Sequence, residues 1–447
     1  MQAAKRALIA LGIAVAAALP AAGCSWAGAG GGSGAVRVLM VNNPQQVELQ
    51  ALTAKYFTAR TGIKVDFKVL PENDLRDAMN EDVANQAGQY DVVSTSNFET
   101  PFYAKDHWLK PLGAYIKKDP GFDASDILGP MRESLQGPGG QLYALPFYGE
   151  SSMLMYRKDV FAKLGLKMPL HPTWQQVATL AAKVNGKQGM RGICLRGQPG
   201  WGELFAPLTT VVNTYGGTWF TKDWKAQLTS PPFVKATSFY VNLVRKDGET
   251  GAAESGFTEC LNDMSQGKVA MWYDASSAAG ALEDKSQSKV AGKIGYAFAP
   301  TDKTKYSGWL YTWAWAIENN AKNPSAAYKF ISWASSKQYE QLVARKLGWS
   351  QVPNATRYSL YKVPAYRKAA SAFWKVTYES VLHANPKDPG VQPRPTLGIQ
   401  FVDIPEFVGI GTNISQLLSS AIAAGGSVQS ALSQGQSQAQ SAGNHYR

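Results

Sequence analysis

Cysteine and histidine are scarce in this 447-residue chain: Cys24, Cys194 and Cys260, with His107, His171, His383 and His445, are all there are. No Cys-x-x-Cys, no His-Glu-x-x-His and no close pair of histidines occurs. The spacings that structural zinc, dithiol redox chemistry and zinc peptidases need are therefore missing. Nucleophile motifs are missing too. There is no Gly-x-Ser-x-Gly and no P-loop, and Ser359-Leu360-Tyr361-Lys362 fits Ser-x-x-Lys without an accompanying Ser-Asp-Asn or Lys-Thr-Gly. Acidic residues are the minority charge, 33 against 45 basic, giving a net charge of +12. The basic residues are dispersed, with no Lys/Arg block, which argues against a nucleic-acid partner and for a mildly positive surface beside an anionic membrane. No apolar run reaches the ~20 residues of a membrane-spanning helix.

The longest such run, Ala7 to Ala22, is 16 residues and follows Lys5 and Arg6, the pattern of an export signal. At its end Ala21-Ala22-Gly23-Cys24 looks like a bacterial lipobox, with Ala21 where Leu is usual. That resemblance implies cleavage before Cys24 and lipidation of its thiol. Residues 1–23 are then the signal, and residues 24–35 the lipidated cysteine and a flexible Gly/Ala/Ser tether. The acyl chains hold the folded part, from about Ala35 on, at the outer face of the cell membrane. Plain secretion is the second reading of this segment. Loss of residues 1–23 removes Lys5 and Arg6 and no acid, so the charge becomes 12 − 2 = +10. An exported chain is in a disulfide-permissive compartment. One Cys194–Cys260 bridge is expected there, worth ~4 kcal/mol on the chain-entropy account, with two buried free thiols as the other reading.

After the tether the chain alternates strands and helices. "AVRVLMVNN" reads as a buried strand and "PQQVELQALTAKYFTARTG" as a helix stopped by Gly62. "IKVDFKVLPEN" alternates apolar and polar residues as a strand, a helix covers about Asp74 to Ala87, and "YDVVSTSN" is a third strand. This β-α-β-α-β order calls for a parallel sheet with helices on its faces. Each strand ends in polar residues, Asn42 and Asn43, then Glu72, then Ser96 and Asn97. Ligands of open α/β sheets bind outside the carboxyl ends of the strands. Further on, "GICLRGQPGWGE" reads as a strand entering a Gly-rich loop, and "SGWLYTWAWAIENN" as a strand with Trp309, Tyr311, Trp313 and Trp315 on one side. The Ser/Gln/Gly-rich tail, 426–447, is expected to fray.

Several segments resemble the extracellular solute-binding proteins of ABC importers. They are "GESSMLMYRKDVFAKLGL" followed by "PTWQQV", then "MSQGKVAMWYD", and "NNPSAAYKFISWASS". Finer stretches are similar to the polyol (mannitol and sorbitol) binding branch: "LMVNNPQQVELQALT", "CLRGQPGWGE", "MWYDASSAAG", "GWLYTWAWAI" and "QFVDIPEFVGIGT". The resemblance implies an α/β fold of two lobes, each a mostly parallel sheet flanked by helices, with the ligand cleft between them. It places lobe one at 36–146 and 302–355 and lobe two at 147–301 and 356–425. It also implies a monomer without cofactor or metal, closing on a polyol or sugar and delivering it to the membrane subunits of a permease.

A polyol offers hydroxyls, each both donor and acceptor, and C–H faces, so its site needs carboxylates, amides, Arg and an aromatic wall. Candidates from lobe one are Asn42, Asn43, Glu72, Ser96 and Asn97, with Trp309 and Trp313 from the aromatic strand. Candidates from lobe two are Glu150, Arg196, Trp201 and Asp274. The same Glu150 and Asp274 are open to a second reading, as the carboxylate pair of a glycoside hydrolase, which turnover of a candidate sugar would reveal. The same residue types also leave room for a mono- or disaccharide ligand in place of a polyol, and for a lipoprotein that only adheres to partners.

Overall fold

A computed structural model of the chain describes residues 34–447. The signal, Cys24 and nearly all of the tether lie outside the described residues. Strand β1 (Val36–Val41) is almost wholly buried, as a strand covered on both faces must be. Helix α1 (Pro44–Thr53) continues through a π-helical turn, Ala54–Thr58, and stops at Gly62, whose φ of 72° closes the helix in the left-handed region. Strand β2 (Val65–Leu70), helix α2 (Glu72–Asn85), strand β3 (Val92–Ser96) and helix α3 (Glu99–Lys105) follow. Strand β4 (Ala144–Glu150) passes through the single residue Ser151 into β5 (Ser152–Arg157), so one extended segment crosses between two sheets.

Beyond the crossing, helix α4 (Trp174–Val184) opens with a capping box in which Thr173 and Gln176 satisfy each other's backbone N–H. Helix α5 (Phe205–Thr214) is buried all round. Helices α6 (Pro231–Asp247) and α7 (Phe257–Gln266) lead to strand β6 (Met271–Ala275), and β7 (Ile294–Phe298) precedes the return crossing. Strand β8 (Tyr311–Ile317) rejoins the first sheet, whose order is β2-β1-β3-β8-β4; the second is β6-β5-β7. Helix α8 (Pro324–Ala334) packs on the first sheet. The fold is α/β with two lobes.

Three details differ from the sequence reading. β1 pairs in parallel with β2 and β3, but β8 is antiparallel to both β3 and β4. In the second sheet β5 is antiparallel to β6 and to β7. The crossings explain this: β5 leaves the hinge while β6 and β7 run towards it, and β8 re-enters lobe one from the far lobe. "GICLRG" forms no strand of its own; Ile193 and Cys194 make only isolated parallel bridges, to Gly248 and Trp272.

The third difference is the tail, which is not frayed within the described residues. Helix α9 (Phe407–Ala424) is followed by α10 (Val428–Gly443), which packs on α9 and α6. Its small residues Ala431, Gly435, Ala439 and Ala442 are buried at helical spacing. A Cβ on Gly435 would stand 2.5 Å from the Ile414 side chain, so glycine permits the close approach. Gln436 and Gln440 accept hydrogen bonds from the backbone N–H groups of Leu228 and Ala226, at 2.8 and 3.1 Å. A composition typical of a loose tail conceals an amphipathic helix.

Candidate functional site

The carboxyl ends of β1, β4 and β6, the aromatic strand β8 and the 200–206 segment line a small cavity between the lobes. Six of the candidate residues line it: Asn43, Glu72, Glu150, Arg196, Trp309 and Trp313.

The best-fixed of these is Arg196. Its Nε and Nη2 donate to the two carboxylate oxygens of Asp274 at 2.8 and 2.6 Å, and Nη1 donates to Glu203 at 3.1 Å and to the Gly202 carbonyl at 3.3 Å. Bidentate pairing of this kind sets the guanidinium plane, and the Phe257 ring centre lies 5.3 Å from the guanidinium carbon. Asp274 stands behind Arg196 rather than on the cavity wall; it also accepts from the Trp272 indole at 3.1 Å and the Ala275 N–H at 2.7 Å. Asn43 donates to the Tyr148 hydroxyl at 2.9 Å. Trp309 and Trp313 are buried, and the Trp309 indole N–H has no acceptor among the described residues.

Glu150 sits where β4 ends and accepts from the Ser277 hydroxyl at 2.5 Å. Burial pushes its carboxyl up to about 8, against the lowering influence of Ser277 and Arg196. Burial also lifts Glu203 to about 7, with the charge of Glu72 adding to the rise. Burial thus favours the protonated form of Glu150, which can donate as well as accept. Burial raises Glu249 and Glu340, each to about 8, in the same way. A folded-state value above the unfolded one gives stability that is full below the unfolded value and is lost as pH rises through the folded one. The melting temperature is therefore expected to fall between pH 5 and pH 8.5, and Glu150→Gln, which keeps the neutral shape, should flatten the fall. Thermal unfolding by circular dichroism across that range measures it; a melting temperature that rises with pH would contradict the assignment.

The remaining candidates are placed elsewhere. Asn42 is exposed. Ser96 opens helix α3: its hydroxyl accepts from the Phe98 N–H at 3.0 Å and donates to the Glu99 carboxylate. Asn97 clasps β8 by accepting from the Thr312 N–H at 2.8 Å and donating to the Leu310 carbonyl at 3.3 Å. Trp201 does not line the cavity but stacks behind Arg76, 4.2 Å from its guanidinium carbon, and packs on Phe98 and Phe401.

Sequence reasoning missed Arg76, Ser277, Tyr311, Gln400 and Phe401, all cavity-lining. A signal existed for two of them. Arg76 follows Glu72 by one helical turn, the spacing of an ion pair, and Tyr311 sits between Trp309 and Trp313 at the strand period. Gln400 and Phe401 lie on an irregular loop, which carries no periodic signal.

Residues 43–341 match the family described as bacterial extracellular solute-binding protein. A mannitol-binding protein of Pseudomonas aeruginosa is 41% identical over 393 residues, 88% of this chain and 89% of that protein. An ABC transporter solute-binding protein of Agrobacterium vitis S4, solved with bound D-mannitol, superposes with a TM-score of 0.90 at 43% identity, covering 93% of this chain and 99% of that one. A solute-binding protein of Agrobacterium radiobacter K84, solved with ribitol, shares the fold at a TM-score of 0.80 and 24% identity, over 92% of this chain and 99% of that one. With two sheets joined by crossing strands around a polar and aromatic cavity, the chain belongs to the bacterial extracellular solute-binding protein family, whose members bind solutes for transport rather than transform them.

Proposed function

We propose that this protein captures a linear sugar alcohol, of which D-mannitol is the leading candidate, as the solute-binding component of an ABC importer. The observation that carries the reading is the inventory of the cavity wall. Two guanidinium groups, the carboxyls of Glu72 and Glu150, the Asn43 amide and the Trp309 and Trp313 rings line one small cavity. Such a wall pairs many hydroxyls and covers C–H faces in a small volume, which suits a single short polyol better than a disaccharide. The mannitol-binding and mannitol-bound relatives support the same ligand class.

Lobe closure supplies the transport logic. Glu72 and Asn43 come from one lobe and Arg196 and Ser277 from the other, so a ligand that touches all four favours the closed form by its differential affinity. The closed form presents itself to the permease. Lipidation of Cys24 would hold the protein beside that permease, at the outer face of the cell membrane.

Thermal unfolding of the protein with millimolar mannitol, sorbitol, arabitol, xylitol, glucose, maltose and trehalose tests the reading. A ligand at 100 times its dissociation constant adds about 2.7 kcal/mol of stability. Shifts with linear polyols alone are expected. Shifts with ring sugars alone would move the specificity within the same role, and no shift with any of them would overturn the polyol assignment.

A further inference from the structure

Arg76 is a buried cation whose partners account for only part of its hydrogen-bonding capacity. Its side chain is 3% exposed on α2. Nη2 meets Glu72 Oε1 at 2.5 Å and donates to the Tyr311 hydroxyl at 3.3 Å. Among the described residues Nε and Nη1 have no hydrogen-bond acceptor; Glu99 Oε1, at 3.9 Å from Nε, is too distant. Arg196 differs, since all three of its nitrogens donate to protein oxygens.

The guanidinium is also clamped. Its carbon lies 4.2 Å from the Trp201 ring centre and 5.9 Å from that of Trp313. On the opposite lobe Gly202 lies directly against it: a Cβ there would stand 1.8 Å from Nη1. Held this way, the group cannot swing to find another acceptor, cannot lose its proton, and has nothing to accept with. A buried charged donor left unpaired is costly, and both Arg76 and Gly202 line the cavity. An oxygen of the ligand is the acceptor that the geometry provides for.

We propose that Arg76 determines specificity by donating from Nη1 to one hydroxyl oxygen of the bound polyol, with Trp201 and Gly202 as the residues that position it. The inference rests on the polyol reading above. It assigns Trp201 to the support of Arg76 instead of to direct stacking on the ligand. A site built to donate to a hydroxyl rejects the analogue that lacks it, because its own polar group is then stranded.

D-Mannitol has twofold symmetry, so its 1-, 2- and 3-deoxy forms cover all six hydroxyls. Calorimetric titration of the wild-type protein with mannitol and these three analogues should find one of them bound about 10- to 150-fold more weakly, the range for a lost hydrogen bond to a charged group. In Arg76→Met that analogue's penalty should vanish while the other two analogues keep theirs, a coupling that a merely structural role would not produce. Gly202→Ala, which displaces the guanidinium, should remove the same penalty. Arg76→Lys keeps the charge beside Glu72 and guards against a variant that fails to fold; it too should lose the discrimination, because a lysine lacks the fixed fork. If wild type binds mannitol and all three deoxy forms alike, or if Arg76→Met weakens every ligand by one common factor, this inference falls and the polyol reading stands. If wild type does not bind mannitol, this inference falls, and the polyol reading falls with it only if the other linear polyols fail to bind as well.

Discussion

Asp274→Ala is expected to lower the free energy of unfolding by about 3–5 kcal/mol, the range for a buried charge that loses its partner, and to abolish polyol binding. Asp274 is fully buried and takes four hydrogen bonds: two from Arg196, one from the Trp272 indole and one from the Ala275 N–H. Its removal leaves the Arg196 guanidinium, itself 4% exposed, with only Glu203 and the Gly202 carbonyl. Glu203 reaches only Nη1, so Nε and Nη2 are left without an acceptor. Asp274→Asn keeps the shape and one acceptor oxygen, and should fall between wild type and alanine. Urea unfolding followed by tryptophan fluorescence measures the stability and calorimetry the binding. A stability loss of less than about 1 kcal/mol, the scale of an ordinary hydrogen bond, would show that the network is not what holds Arg196.

The second large effect belongs to the disulfide. Cys194 and Cys260 are bonded to each other, 66 residues apart in sequence, and both are fully buried. Replacing both by alanine is expected to cost ~4 kcal/mol on the chain-entropy account. The bridge also has a local role. Cys194 lies two residues before Arg196, and Cys260 is on α7 three residues after Phe257, whose ring faces the Arg196 guanidinium. The double variant should therefore bind its polyol more weakly as well as melt earlier, and titration of the reduced wild-type protein should match it. A double variant as stable as wild type would remove the bridge from the account of stability.

Much of the fold is legible in the residues alone, for physical reasons that vary by element. β1 announces itself through a mostly apolar run and β2 through alternating apolar residues, because a strand's faces repeat every two positions. Gly62 as a helix stop follows from its left-handed φ. Asn43 and Glu72 are legible as cavity residues because strand ends in a parallel sheet converge on one edge, and Glu150 because it stands at a turn beside the crossing between the lobes. The misreadings share a cause. Ser96 and Asn97 stand at the same kind of strand end, yet one holds the Phe98 N–H in the turn before α3 and the other ties down β8, and a residue's type does not say which backbone N–H will reach it first. Trp201 and Arg76 meet across the lobes, 125 positions apart, where no local pattern operates. The tail misleads because its small residues signal looseness by composition and tight packing by spacing.

Two hydrogen bonds between the lobes bear on what affinity means for this protein. Asn73 donates to the Pro199 carbonyl at 3.1 Å and Gln45 to the Ser277 carbonyl at 2.9 Å. Neither Asn73 nor Gln45 lines the cavity. These bonds favour the closed form equally for every solute, and so they cannot discriminate. They set instead the fraction of molecules that are competent to hold a ligand, and the apparent dissociation constant scales inversely with that fraction. Selectivity and sensitivity are thereby separable in the sequence. Cavity residues decide which solute is taken, while rim residues such as Asn73 and Gln45 decide how dilute it can be and still be taken, so a lineage facing scarcer nutrients can adapt at the rim without redrawing the cavity.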